Sequence, residues 1–581
     1  MLITSQRIEY LLVLAVLKIL LLPQSTLAQN TIIRSQKTFN QSEKVYLPQQ
    51  AATVKVDLSN YVVGQDNQDN LNLEQLPERI KVEQIKIVGN SVFTTAELKS
   101  LLNLESREII SKNDLIKIIK QLNQVYRDRG YLTSGVFSEP KLQPNRNIII
   151  AVREGTIEEI KITGLKRLSA NYIRNRIVRN PQQILNLEQL EQELQLLQVN
   201  HLIDNISATV VSGSSFGNSI LEVEIVEDDP FYVELSLDNL GSLSSGSFRR
   251  QLKVNHDNLL GFGDRFYAAY TNSDGSNALN NLSYLIPLNS RDGTIGVSYG
   301  LGKFEIIRDP FDELDIDFEF NRFQIALYQP VYQTPKHEFA LSLALSRIAT
   351  EVTLEDIPFP ALRRGASNDG ELNISAIRFY QDYIKRGTKD RFDFRSEISF
   401  GVDIIDATDN DEPPDTNFFI WRGQTSYQRQ LTEDTGLHFS SFWQLSDRPL
   451  VDLEQTPRKL FTVGGEEETF ILRGYRQDSL RADNGIFATA EFQANVLEID
   501  RLNSIFQLTP FVDFGTVWND KDNNLELDQS TLISVGLGLR LLVNNNFRAR
   551  VDWGIPLIEQ DFDTGSLQED GITFNIEYRP L

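Results

Sequence analysis

From residue 231 to the end of the chain, apolar and polar residues alternate with a period of two. Ile295, Val297, Tyr299 and Leu301 interleave with Gly296, Ser298, Gly300 and Gly302, and Phe339, Leu341, Leu343 and Leu345 with Ala340, Ser342, Ala344 and Ser346. Further on, Phe394, Ile398, Phe400, Val402 and Ile404 oppose Asp393, Arg395, Glu397, Ser399, Gly401 and Asp403. Near the end, Phe547, Ala549, Val551, Trp553 and Ile555 oppose Arg548, Arg550, Asp552 and Gly554. Period two puts successive side chains on opposite faces of a strand. The runs last roughly 9 to 13 residues, as a tilted membrane strand requires, whereas strands of soluble sandwiches mostly hold about five or six. The second face carries Arg, Asp and Glu, as expected of a water-filled lumen. Phe419, Trp421 and Trp518 sit near strand ends, where interfacial girdles belong. Turn-rich stretches separate the runs, and long ones such as 406–415 suit extracellular loops. Residues 229–581 hold 16 strands at about 22 residues each, so the pattern predicts a transmembrane antiparallel β-barrel rather than a soluble sandwich.

Upstream the period changes. Residues 82–88 form a short apolar strand closed by Gly89-Asn90. Thr94 and Glu97 make a capping box before Leu98, Leu101 and Leu102. Ser111 opens a helix with Leu115, Ile118, Ile119, Leu122, Val125 and Tyr126 on one face, and Gly130 ends it. Val136-Phe137 and 147–152 add two strands. The order strand, helix, helix, strand, strand then repeats: a strand at 157–163 followed by Gly164, helices at 169–178 and around Leu187, Leu190, Leu194 and Leu197, and strands at 206–211 and 220–225. The shared strand-then-Gly opening favours tandem α+β units, 79–154 and 155–228, over a single domain.

The first 28 residues read as a secretory signal, with Arg7, an apolar run at 11–22 and Thr26-Leu27-Ala28 before the cleavage point. Twelve apolar residues are too few for a helical span, which needs roughly 20. Residues 29–78 read as a polar linker, with a short helix or strand near 44–58 and a possible role as a plug.

Composition removes whole classes of chemistry. There is no cysteine, so disulfides, thiol catalysis, Cys-type zinc sites and iron–sulfur clusters are excluded. Against 57 Lys and Arg stand 80 Asp and Glu, a net charge of −23, which argues against nucleic acid as a partner. The four histidines, at positions 201, 256, 337 and 438, are scattered, and no phosphate-binding loop exists. Gly261-Phe262-Gly263-Asp264 reads as a hairpin turn. Asp520, Asp522 and Asn524 imitate the start of a calcium loop, but Leu525 replaces its Gly and Thr531 its Glu. The acidic runs at 406–415 and 466–468 read as solvated loops. No catalytic site, metal or cofactor is expected.

Two short segments remain: Leu472-Arg473-Gly474-Tyr475, within a loop-like run, and Phe511-Val512-Asp513-Phe514-Gly515, on a strand whose Asp513 falls on the polar face. In order, spacing and context the pair resembles the V-R-G-Y/F and F-x-D-x-G motifs of two-partner secretion transporters. The resemblance covers nearly everything after the signal segment. It implies two polypeptide-transport-associated (POTRA) domains before a 16-stranded outer-membrane barrel. It also implies that Arg473, on a loop folded into the lumen, pairs with Asp513 on the wall, the two flanked by Leu472, Gly474, Tyr475, Phe511 and Gly515. The implied partners are outer-membrane lipid and a large secreted exoprotein with an N-terminal secretion domain, moved without nucleotide hydrolysis. A barrel-assembly insertase of the same superfamily and a passive porin are the alternatives. Two features depart from the pattern: Leu472 stands in place of Val, and the chain ends Arg579-Pro580-Leu581 after Tyr578 instead of on an aromatic residue.

Overall fold

The computed structural model describes residues 53–56 (backbone only), 77–102, 109–178, 184–411, 413–456, 472–477, 479–527, 529–544, 546–560 and 565–580. The signal segment, most of the linker, the acidic run 466–468 and Leu581 lie outside the described residues.

The first α+β unit places Gln84–Val88 parallel to Asn147–Arg153, which pairs in turn with Gly135–Val136. Helices Thr95–Leu101 and Lys112–Asp128 start at reciprocal capping boxes, Thr94 with Glu97 and Ser111 with Asp114. Their apolar faces bury Leu98, Leu115, Ile118, Ile119, Leu122 and Tyr126 against Ile85, Ile87, Ile148 and Ile150. The second unit repeats the plan with its own core. Thr156–Thr163 runs parallel to Asn218–Glu227, which pairs antiparallel with Ile203–Ser212, under helices Ala170–Ile177 and Leu187–Gln198. Short strands that the apolar pattern does not reveal, Arg79–Lys81 with Ile109–Ser111 and Lys141–Leu142, complete the first unit. The second predicted strand, Val136-Phe137, is shifted by one residue, to Gly135–Val136.

Gly89 and Gly164 do the same work in both units. Each has φ near +85° (+85° and +84°), and a Cβ there would lie 2.2 Å from the Val152 carbonyl oxygen or 2.0 Å from that of Ile225. Only glycine fits such a position without strain. A carboxylate receives the loop that follows: Glu154 accepts from the Ser91 and Val92 amides, and Glu227 from those of Lys166, Arg167 and Leu168.

Sixteen antiparallel strands form a closed barrel from Phe231–Asp238 to Ile572–Tyr578; the two-residue strand Ile357–Pro358 lies off the wall, against His337–Leu354. Apolar residues such as Val297, Leu343, Leu539 and Trp553 point outward and stay exposed, while the opposite parity points inward. Tyr578 faces outward at the end of the last strand, and Arg579 turns in to bond Glu234 of the first strand at 2.7 Å. Among the described residues, no helix is long and apolar enough to cross a membrane.

The inner face departs from a plain water-filled lumen. Arg378, Arg422, Glu397, Glu491 and Asp513 are buried there, because a long loop folds in upon them. The 406–415 run is likewise packed in part: Thr408 and Asp415 are buried, and Asn410 donates to the Gly365 and Pro414 carbonyls. Among the described residues no His, Cys, Asp or Glu group is arranged to hold a metal. Asp520 accepts from the Asp522 amide and so closes its own turn.

The second unit is fastened to the near rim of the barrel. Arg176 bonds Asp292 at 2.9 Å and lies 3.5 Å over the Tyr172 ring. The Ser169 amide donates to the Gly261 carbonyl at 2.8 Å, so the predicted hairpin turn is also a docking point. His201 stands 3.6 Å from Asp257. Burial first, then the Arg265 guanidinium, push its imidazole down to about 4, against the pull of Asp257. A free histidine titrates at about 6.5. The contact is therefore at full strength above that pH and weakens as pH falls towards 4, because the undocked state binds the proton more readily. Proteolysis of the 228–230 junction should accelerate between pH 7 and 5, and His201→Gln should flatten that rise; equal slopes would contradict it.

Candidate functional site

The site is where residues 472–477 press against the inner wall. They belong to the connection between strands Thr435–Ser446 and Asn484–Ile499, which opens from the far rim. On strand Ser504–Trp518, period two turns Phe511, Asp513, Gly515 and Val517 to the same inward face. Register sets Thr489 opposite Asp513, and Glu491 opposite Phe511. On the other side, Gly536 stands opposite Phe511 and, across the next pair, Gly554.

Arg473 reaches this surface from the loop. Its Nε and Nη2 donate to the two oxygens of Asp513 at 2.8 and 2.7 Å, and its own amide adds a bond of 3.0 Å. A guanidinium bonded through two N–H groups to one carboxylate has a fixed orientation. Its Nη1 donates to Glu491 at 2.9 Å and lies 3.5 Å from Asp552; Nη2 also donates to Thr489 at 2.8 Å. The guanidinium sits 3.4 Å over the Phe511 ring, which gives that inward aromatic a cation–π role. Arg540 and Arg550 bond Glu491 from the wall at 2.6 and 2.7 Å, and Arg550 also bonds Asp552. Three cations thus meet three anions in a buried cluster. Such a cluster fixes one conformation more than it adds stability, yet removing one member leaves a buried charge without compensation.

The remaining motif residues make room or anchor. A Cβ on Gly515 would lie 2.7 Å from Leu472 Cδ1, so the glycine admits the side chain at the first motif position. At Gly554 a Cβ would come within 2.4 Å of the Gly474 nitrogen, so loop and wall touch backbone to backbone. Tyr475 is buried among Phe442, Leu480, Phe487, Val517 and Leu532; its hydroxyl donates to the Ile533 carbonyl at 2.6 Å and also lies 3.1 Å from the Ile558 carbonyl. Tyr475→Phe should therefore loosen the loop by about 1–3 kcal/mol while keeping its packing. Faster hydrogen exchange at residues 472–477 would show it; unchanged exchange would contradict it.

Sequence reasoning left out Thr489, Glu491 and Arg540. Inward parity was the available signal: each lies on the face opposite its strand's exposed apolar residues. The arrangement is a polar fastening of an inward-folded loop to the barrel wall.

Comparison with known proteins agrees with this architecture. The family model described as haemolysin secretion/activation protein ShlB/FhaC/HecB matches residues 217–541, more than half of the chain. A POTRA model, described as surface antigen variable number repeat, matches residues 80–155. The chain is 21% identical over 500 residues to the outer membrane transporter CdiB of Escherichia coli O6:K15:H31 (strain 536 / UPEC), covering 83% of this chain and 79% of the relative. It is 22% identical over 497 residues to the heme/hemopexin transporter protein HuxB of Haemophilus influenzae (strain 86-028NP), covering 82% and 84%. The solved structure of CdiB from Escherichia coli superposes with a TM-score of 0.65 at 17% identity, covering 89% of this chain and 95% of that one. The chain belongs to the ShlB/FhaC/HecB haemolysin secretion/activation family, as an outer-membrane β-barrel with POTRA-type units on its periplasmic side.

Proposed function

We propose that this protein captures a large secreted partner in extended form through its periplasmic units and passes it through the barrel lumen without nucleotide hydrolysis. In this reading residues 1–28 are the signal, 29–78 the linker, 79–154 and 155–228 the POTRA pair, and 229–581 the barrel. The relatives carry the titles of an outer membrane transporter and a heme/hemopexin transporter, consistent with traffic of this kind. The single observation that carries the reading is the Arg473–Asp513 fastening: the loop across the lumen is held by hydrogen bonds and charge, contacts that exchange with water when it moves.

Capture has a physical basis in the sheets. Among the described residues Gln84–Val88 pairs with one neighbouring strand only, and Thr156–Thr163 likewise, apart from an isolated bridge from Thr156 to Ile184. A strand edge takes an extended chain through backbone bonds, with alternate side chains giving specificity. Folding of the partner outside prevents its return, so no energy source within this chain is required.

Depletion tests the reading. Loss of one co-expressed exoprotein from the medium, with other outer-membrane proteins assembling normally, is the expected result. General failure of barrel assembly would overturn it in favour of an insertase, and normal secretion in favour of a passive pore.

A further inference from the structure

The loop that carries Arg473 is tied down a second time, nearer its start. Residues Asp452–Glu454 form a single 3-10 turn, and the Glu454 side chain is completely buried. Its two carboxylate oxygens accept from Arg378 Nη2 and Arg422 Nη2, both at 2.7 Å. Glu397 bonds the same pair of arginines, at 3.2 Å to Arg378 and 2.7 Å to Arg422. Arg422 Nε donates to Gln444 at 2.7 Å, and Gln444 Nε2 donates to the Glu454 backbone carbonyl at 2.8 Å. Cross-strand register sets Glu397 opposite Arg422 and Arg422 opposite Gln444 on the inner face.

The two fastenings share no wall strand. The Arg473 cluster uses strands Asn484–Ile499, Ser504–Trp518, Thr531–Val543 and Phe547–Pro556. The Glu454 cluster uses Glu371–Arg386, Asp390–Gly401, Phe419–Gln430 and Thr435–Ser446. Their charges mirror each other. Around Arg473 the wall supplies two cations, Arg540 and Arg550, against three anions, Asp513, Glu491 and Asp552. Around Glu454 it supplies two cations, Arg378 and Arg422, against one anion, Glu397. Each patch of wall is one charge out of balance, with opposite sign, and the loop supplies the missing charge to each.

We infer that Glu454 is a positioning residue, a second latch that holds the stem of the inward loop independently of Arg473. The inference rests on the reading above that this loop moves during export. A buried carboxylate between two arginines holds its segment only while all partners stay, because its loss leaves two cations facing one anion in a space closed to water. The pairing of signs also keys the loop: Glu454 at the Arg473 patch, or Arg473 at the Glu454 patch, would meet a wall carrying its own sign. Full withdrawal of the loop therefore requires both latches to open.

The chain contains no cysteine, so single reporters can be placed in it. Val451→Cys reports on the stem, where the native side chain is fully buried among Leu372, Ile374 and Leu450. Leu472→Cys reports on the tip. Intact cells are treated with a membrane-impermeant maleimide, and barrel assembly is checked by heat-modifiable gel mobility. Glu454→Gln should raise the labelling rate at 451 by about ten-fold or more while leaving 472 near its parental rate, and Arg473→Ala should do the reverse. Glu454→Asp, which keeps the charge with a shorter reach, should fall between and retain more export than Glu454→Gln. An unchanged rate at 451 in an assembled Glu454→Gln barrel overturns the inference; so does an Arg473→Ala barrel in which 451 labels as fast as in Glu454→Gln. Should Glu454→Gln fail to assemble, the same two rates are read on Glu454→Asp, and parental labelling at 451 overturns the inference there too. If Arg473→Ala alters neither reporter nor export while Glu454→Gln frees the stem, the assigned role of Arg473 fails and the second latch stands.

Discussion

Arg473→Ala should stop export of the partner protein from cells whose barrel still assembles. The substitution leaves Asp513, Glu491 and Asp552 facing only Arg540 and Arg550, and Asp513 loses both side-chain hydrogen bonds from the guanidinium at a fully buried position. Truncating one member of a buried, bonded charge group costs about 3–5 kcal/mol, because the partners remain desolvated. At about 1.4 kcal/mol per factor of ten, the seated loop becomes roughly a hundred- to several thousand-fold less favoured. Without a defined seat the loop wanders in the lumen, and the partner meets no ordered path. Secreted partner should fall at least about ten-fold, with the heat-modifiable band of the folded barrel retained. Arg473→Lys keeps the charge but not the two-pronged bond to Asp513, so it should export at an intermediate level. Wild-type secretion from Arg473→Ala would remove the latch from the account.

Gly554→Ala should unseat the loop by a different route, through bulk instead of charge. The added methyl would land 2.4 Å from the Gly474 nitrogen and 2.6 Å from the Arg473 carbonyl carbon. Both are backbone atoms, so no side chain can swing aside to relieve the contact. Overpacking typically costs about 1–3 kcal/mol, and here lifting the loop also draws Arg473 away from Asp513. Gly565→Ala is the control, since a Cβ there meets nothing within 4 Å. In planar bilayers the Gly554→Ala barrel should show frequent large openings, and the control only the parental record. Indistinguishable conductance would show that close approach at Gly474 does not seat the loop.

The barrel was legible in the sequence because its strands are long and obey one rule. Outward Val297, Leu343 and Trp553 contact the apolar phase, inward Glu397 and Arg550 do not, and a membrane enforces that division on strand after strand. The α+β units were legible through capping and the 3.6-residue period, which made the helix Lys112–Asp128 plain. Two- and three-residue strands such as Lys141–Leu142 escaped, because so short a segment has no measurable period. At the site, the tetrapeptide and the Phe511–Gly515 segment stood out only through their resemblance to a known pair of motifs. Glu454 carried no such mark: it sits in a run of Asp, Leu, Glu and Gln that reads as an ordinary polar loop. What sets it apart is the pair of wall arginines it meets, 76 and 32 residues away in the chain, and no local pattern encodes contacts at that range.

The central claim is that the loop carrying Arg473 leaves its seat while the partner passes. A reversible covalent tether tests it most directly. In the cysteine-free chain, Leu472→Cys with Gly515→Cys places two thiols on either side of the contact where a Cβ on residue 515 would lie 2.7 Å from Leu472 Cδ1, and formation of the disulfide is verified by the loss of free thiol on oxidation. The account predicts that oxidised barrels retain the partner and that reduction restores its secretion. Full secretion through quantitatively oxidised barrels would contradict it.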